Sequence, residues 1–97
     1  MNDVICKAIE NKQLLRFKYH FHLRLVEPHT YGIDTRGHLA LRAYQTEGVS
    51  DHGRVPDWKL FLESDIENLH LMPDTFENAR PKYKRGDKAF SRIFAQL

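Results

Sequence analysis

Arg16, Lys18, Arg24, Arg42 and Lys59 are cations set in stretches where apolar and polar residues alternate, and Tyr19, Tyr44 and Trp58 stand near them in sequence. Side chains that point the same way on paired strands converge. The set therefore predicts phosphate contacts beside aromatic stacking surfaces, the combination that holds single-stranded nucleic acid. The plainer reading is that half of these charges are the solvated face of strands whose aromatics fill the core. A second basic patch, Lys82, Lys84 and Arg85 around Tyr83, suits either a phosphate backbone or a fold-back onto the acidic stretch between Leu62 and Asn78, within or between chains.

Other chemistry is poorly supplied. Ser50, Ser64 and Ser91 lie in polar or capping contexts without a nucleophile elbow, and there is no glycine-rich phosphate loop. No enzymatic activity and no cofactor are expected. His20 and His22, two apart on a strand, point to one side and with His29 or His38 offer zinc ligands. Hairpin histidines are more commonly solvent-exposed, so no metal is expected and a metal-assisted hydrolase is the remotest of the readings. Arg24 and Glu27 fall on opposite faces unless a bulge at Pro28 turns the chain, and Glu27 is expected to pair with Arg42 across the sheet. Arg85-Gly86-Asp87 spells an adhesive tripeptide but reads as a turn and a helix cap.

These residues need a scaffold, and 97 residues supply one domain with a single modest core, so any site is a groove or a face. The core is expected over about residues 12–72, with a basic extension over 78–97. Asp3 is a candidate N-cap for a helix over residues 3–11, with Val4, Ile5, Ala8 and Ile9 on one stripe. From Leu14 the period becomes two: Leu15, Phe17 and Tyr19 alternate with Arg16, Lys18 and His20. A second strand is expected over residues 23–31, with Pro28 marking an edge or a bulge. A third follows over residues 39–44, then a long polar loop over 46–57. Trp58, Leu60 and Leu62 alternate with Lys59, Phe61 and Glu63 in a fourth, and Ile66, Leu69 and Leu71 suit a fifth. Residues 88–97 fit a helix or a strand equally well. Close-spaced short strands favour a small closed barrel, which has no exposed edge.

Net charge is only +2, yet residues 62–78 carry −5 and residues 80–92 carry +5. Such asymmetry suits an anionic partner or self-association. Cys6 is the sole cysteine, which excludes an internal disulfide. No apolar run nears the ~18 residues that span a bilayer, so no membrane partner is expected and a cytoplasmic location is.

The order of blocks is itself informative. A short helix leads into an aromatic strand; then come Arg24 before Val26-Glu27-Pro28, the strand Leu39-Ala40-Leu41, and Lys59-x-Phe61 with Ile66 five residues on. This order, over about residues 4–71, resembles the WYL domain. Leu39-Ala40-Leu41 takes the place of the name-giving Trp-Tyr-Leu, and Lys59 the place of an Arg. The resemblance implies a mainly β fold with a short N-terminal helix, an SH3-like or Sm-like small β-barrel, and a basic ligand face. It further implies roles in bacterial regulation, phage defence and nucleic-acid or nucleotide sensing. Without a helix-turn-helix the chain resembles a standalone, divergent member, and direct operator binding is not expected. The function expected is thus a non-enzymatic module binding single-stranded nucleic acid or a nucleotide-like anion. The alternative is a protein interaction module that self-associates as a homodimer.

Overall fold

The alternation of Leu15, Phe17 and Tyr19 becomes the buried side of a strand in the computed structural model, which describes residues 1–97. Helix α1 (Asp3–Asn11) precedes β1 (Gln13–Tyr19), β2 (His22–Asp34), β3 (Leu39–Gly48) and β4 (Asp57–Leu62). A 3-10 turn (Glu63–Asp65), β5 (Ile66–Thr75) and β6 (Phe90–Gln96) follow. The fold is mainly β with one short N-terminal helix.

Asn2, not Asp3, caps α1: its Oδ1 accepts the N–H groups of Val4 at 3.0 Å and Ile5 at 3.1 Å. Asp3 falls in the first turn, where a negative charge suits the helix dipole. Nine residues of helix are too few to persist alone, and α1 is held by Ile5, Ala8 and Ile9, which are buried in the core.

All ladders are antiparallel, in the order β4-β3-β2-β1-β5, with β6 also on β2. The thirteen-residue β2 is the spine. Residues 22–26 pair with β1 and residues 30–34 with β6, while β3 follows the opposite edge. Pro28 sits at a register shift against β3, so it marks a bulge in a central strand rather than an edge. No ladder joins β4 to β5, so the six-stranded sheet is not closed into the expected barrel. At the end of β4 the Leu62 N–H donates to the Tyr19 hydroxyl of β1 at 3.1 Å.

Residues 90–96 form a strand because β2 runs on past β1 and offers them a free edge. Gly32 lets the two backbones close up: a Cβ there would lie 2.0 Å from the Arg92 carbonyl oxygen. The helix cap expected of Asp87 is instead a turn into β6, with Oδ1 accepting the Ala89 N–H at 2.9 Å and the backbone carbonyl accepting that of Phe90 at 3.1 Å. The polar loop is shorter than expected, since β3 extends to Gly48 and leaves residues 49–56.

Inside, α1 packs with Leu15, Phe17 and Tyr19 of β1, Val26 and Tyr31 of β2, Leu41 and Ala43 of β3, and Phe61 of β4. Phe61 meets the rings of Phe17 and Tyr19 edge-on, each at 4.9 Å. No helix is long and apolar enough to cross a membrane.

Candidate functional site

On the side of the sheet away from α1, Glu27 and His29 of β2 share a face with Arg42 and Tyr44 of β3 and Trp58 of β4. Strand alternation sets this grouping, and the register places Glu27 beside Tyr44 and Tyr44 beside Trp58. A strap, residues 76–88, crosses that face. Arg80 clamps it down: its Nε and terminal NH2 donate to the two Glu27 carboxylate oxygens at 2.7 and 2.9 Å, and its guanidinium lies 4.7 Å from the Tyr44 ring centre. The expected Glu27–Arg42 pair is thereby corrected. Glu27 takes Arg80, and Arg42 donates from Nε to Asp87 Oδ2 at 2.9 Å.

His29 holds the strap from beneath. Its Nδ1–H donates to the Glu27 carbonyl at 2.8 Å, and its Nε2 accepts the Arg80 backbone N–H at 3.1 Å. Those two bonds define a neutral imidazole with the proton on Nδ1. Burial pushes its pKa below the ordinary histidine value, and the neighbouring Arg80 charge acts in the same direction. The ring packs against Trp58 at 4.6 Å, Tyr83 at 5.3 Å and Phe76 at 5.4 Å. Trp58 Nε1 donates to the Pro81 carbonyl at 3.0 Å. From the far side β6 secures the strap: the Leu97 carbonyl accepts from Tyr83 and Arg85, and Gln96 Oε1 from the Gly86 N–H.

Between strap and sheet lies a hollow of about 480 Å³, lined by Arg42, Trp58 and residues 82–88. Five of its side chains are cationic and one, Asp87, is anionic. The two patches expected separately meet here. Arg42 and Trp58 of the first set and Lys82, Lys84 and Arg85 of the second line one groove, and Tyr44 supports it under Arg80.

The remaining expected residues lie elsewhere. Arg16 is exposed and Lys18 half-buried on β1, in register with Leu25 and Leu23. Lys59 points from the opposite side of β4 to Trp58, in register with buried Ala43, and donates to the His52 carbonyl at 2.9 Å. Arg24 is only 2% exposed. Its guanidinium donates to the Tyr19 carbonyl at 2.9 Å, Asp51 at 3.2 Å and Gln45 at 3.4 Å, so it is a structural centre under the 49–56 loop.

Sequence reasoning missed Lys88, which belonged visibly to the basic run, and missed Arg80, Glu27 and His29 as the anchors of the strap. The histidines do not assemble. His20 binds Asp51 through Nδ1 and Asp65 through Nε2, which together raise its pKa, with Asp65 contributing most. His29 is buried, and His38 lies by Asp34 in the β2–β3 turn. No group of three His, Cys, Asp or Glu is arranged to hold a metal ion. Nor do the acidic and basic segments pair with one another: Glu63 accepts from Tyr31, Asp65 binds His20, and Arg80 and Asp87 have partners on β2 and β3. No protein-family model matches the sequence, and no curated protein and no solved structure matches it.

Proposed function

We propose that this chain is a non-enzymatic, cytoplasmic binding module, a divergent relative of the WYL domain on an SH3-like strand arrangement, whose groove takes a single-stranded nucleic acid or a nucleotide-like anion. The observation that carries the proposal is the meeting of Arg42 and Trp58 with Lys82, Lys84 and Arg85 around one hollow. Ammonium and guanidinium groups hold phosphate oxygens through charge-assisted bonds, and the part of Trp58 that lines the hollow, beside the near-parallel Tyr83 ring at 6.4 Å, offers a base ~1–3 kcal/mol of stacking. The family-like features Arg24, Glu27 and Pro28 then act as framework, with Glu27 holding the strap and Arg24 the neighbouring loop.

Fluorescence anisotropy of short labelled single-stranded RNA and DNA, at low and at physiological salt, tests the reading. Saturable binding that weakens steeply with salt and is lost in Arg42→Ala is the expected result. Binding that ignores salt, or none even at low salt, sinks it. Self-association is the second reading: Glu63 and Asp65 of the acidic segment are engaged within the fold, while Glu67, Asp74 and Glu77 are exposed on its surface.

A further inference from the structure

The walls of the groove come from unequal sources. Seven of its nine lining residues are the consecutive run 82–88, and the other two are Arg42 and Trp58. A groove that tracks a strand follows the backbone along ~4–16 nucleotides. One loop curled over two sheet residues makes a cup instead. At about 480 Å³ the cup falls within the ~300–1,000 Å³ range of single small-ligand pockets, which suits one nucleotide unit better than a run of them.

The charge within the cup is similarly concentrated. Asp87 is occupied by Arg42 and the Ala89 N–H, and Arg85 donates to the Leu97 carbonyl. The ammonium groups of Lys82, Lys84 and Lys88 have neither an acidic partner nor a protein acceptor, and the terminal nitrogens of Arg42 have no protein acceptor. An internal phosphodiester brings one negative charge and two free oxygens. A terminal phosphomonoester brings nearly two charges at neutral pH and three acceptor oxygens, matching a cup with several convergent cations.

Resting on the anion-binding reading above, we propose that the cup seats a terminal phosphomonoester, either the phosphorylated end of a strand or the phosphate of a free mononucleotide, with the attached base against Trp58. The internal phosphates of a strand then lie outside it. Arg42 and the three lysines supply the discrimination, and Trp58 is sequence-tolerant.

Isothermal titration calorimetry of the full chain with unlabelled ligands tests this, using one short oligonucleotide with a 5′-hydroxyl, a 5′-phosphate or a 3′-phosphate, and AMP against adenosine. A phosphorylated end is expected to bind about tenfold tighter or more than the hydroxyl form at physiological salt. That preference is expected to collapse in Lys84→Gln and Lys88→Gln, both checked for native circular dichroism, and to persist in Lys59→Gln. AMP binding as tightly as the phosphorylated strand identifies the free nucleotide as the source. Binding of phosphorylated strands alone identifies the strand end. Equal affinity for all three ends overturns the terminal-phosphate inference while leaving the anion-binding function standing, and absence of binding by every ligand overturns both.

Discussion

Arg80 and Glu27, 53 residues apart in sequence, meet in a two-pronged ion pair whose carboxylate side chain is 7% exposed and whose guanidinium side chain is 41% exposed. This pair fixes the strap to the sheet, and the groove exists only while the strap is in place. Solvent screens the arginine side, so the whole penalty for breaking a buried pair does not apply. Arg80→Ala is expected to destabilise the protein by about 2 kcal/mol, read from urea denaturation, because it strands the Glu27 carboxylate. Adding Glu27→Gln should recover part of that loss by removing the unpaired charge. A double variant less stable than Arg80→Ala would contradict this account.

The two structural histidines should titrate in opposite directions. His29 has a depressed folded-state pKa, so its contribution is complete above the ordinary histidine value of about 6.5 and is lost as pH falls through the folded pKa. Protonation also removes the lone pair that receives the Arg80 N–H, so acid should loosen the strap. His20 has a raised pKa, and its contribution is present below about 6.5 and lost as pH rises through the folded value. Proton NMR titration of the imidazole resonances, assigned with His20→Gln and His29→Gln, is expected to place His29 below and His20 above that reference. The reverse order would refute the hydrogen-bond assignments.

Binding should separate the cations by location rather than by charge. Lys84→Ala is expected to reduce the slope of log affinity against log salt by about 1. Lys59→Ala and Arg16→Ala, whose positions lie outside the groove, should leave both slope and affinity unchanged. Arg24→Ala should instead appear in stability, since it removes a buried guanidinium that four groups surround, with an expected cost of about 3 kcal/mol. Ligand titrations paired with thermal melts of each variant would show whether these effects segregate.

Gly32→Ala tests the β2–β6 contact. The added methyl meets the Arg92 carbonyl oxygen and the Ile93 Cα, backbone atoms that cannot swing away. A loss of about 2 kcal/mol or more is expected by overpacking, and the strap should loosen too, because β6 carries its Gln96 and Leu97 anchors. A melting temperature equal to that of the parent protein would show that β6 is not closely seated.

What the sequence made legible follows from how far each interaction reaches along the chain. The period-two pattern of Leu15, Phe17 and Tyr19 announced β1 because one face of that strand is buried and the other wet. In β2 the same rule misleads. Leu23 is 62% exposed while Arg24 is buried, since the partners that satisfy the guanidinium, Gln45 and Asp51, arrive from β3 and the loop beyond it. In β4 the two faces carry an aromatic each, and only the tertiary fold decides that Phe61 enters the core while Trp58 and Leu60 face outward. The basic run at 80–92 was visible as charge, but nothing local told that it crosses back over β2 to find Glu27 and His29. Residues 88–97 fit a helix and a strand equally well by their pattern because their strand depends on an edge supplied by β2, some 60 positions upstream.

That pairing has a consequence for the birth of the protein. During synthesis residues 30–34 emerge long before residues 90–96, so the growing polypeptide carries an unfinished β2 edge while β1, β3, β4 and β5 are made. Unpaired strand edges invite the wrong neighbour. The groove, assembled last from the strap and its β6 anchors, therefore comes into being only after the nascent chain has passed through its most aggregation-exposed stage, so an intact groove doubles as a report that folding has finished.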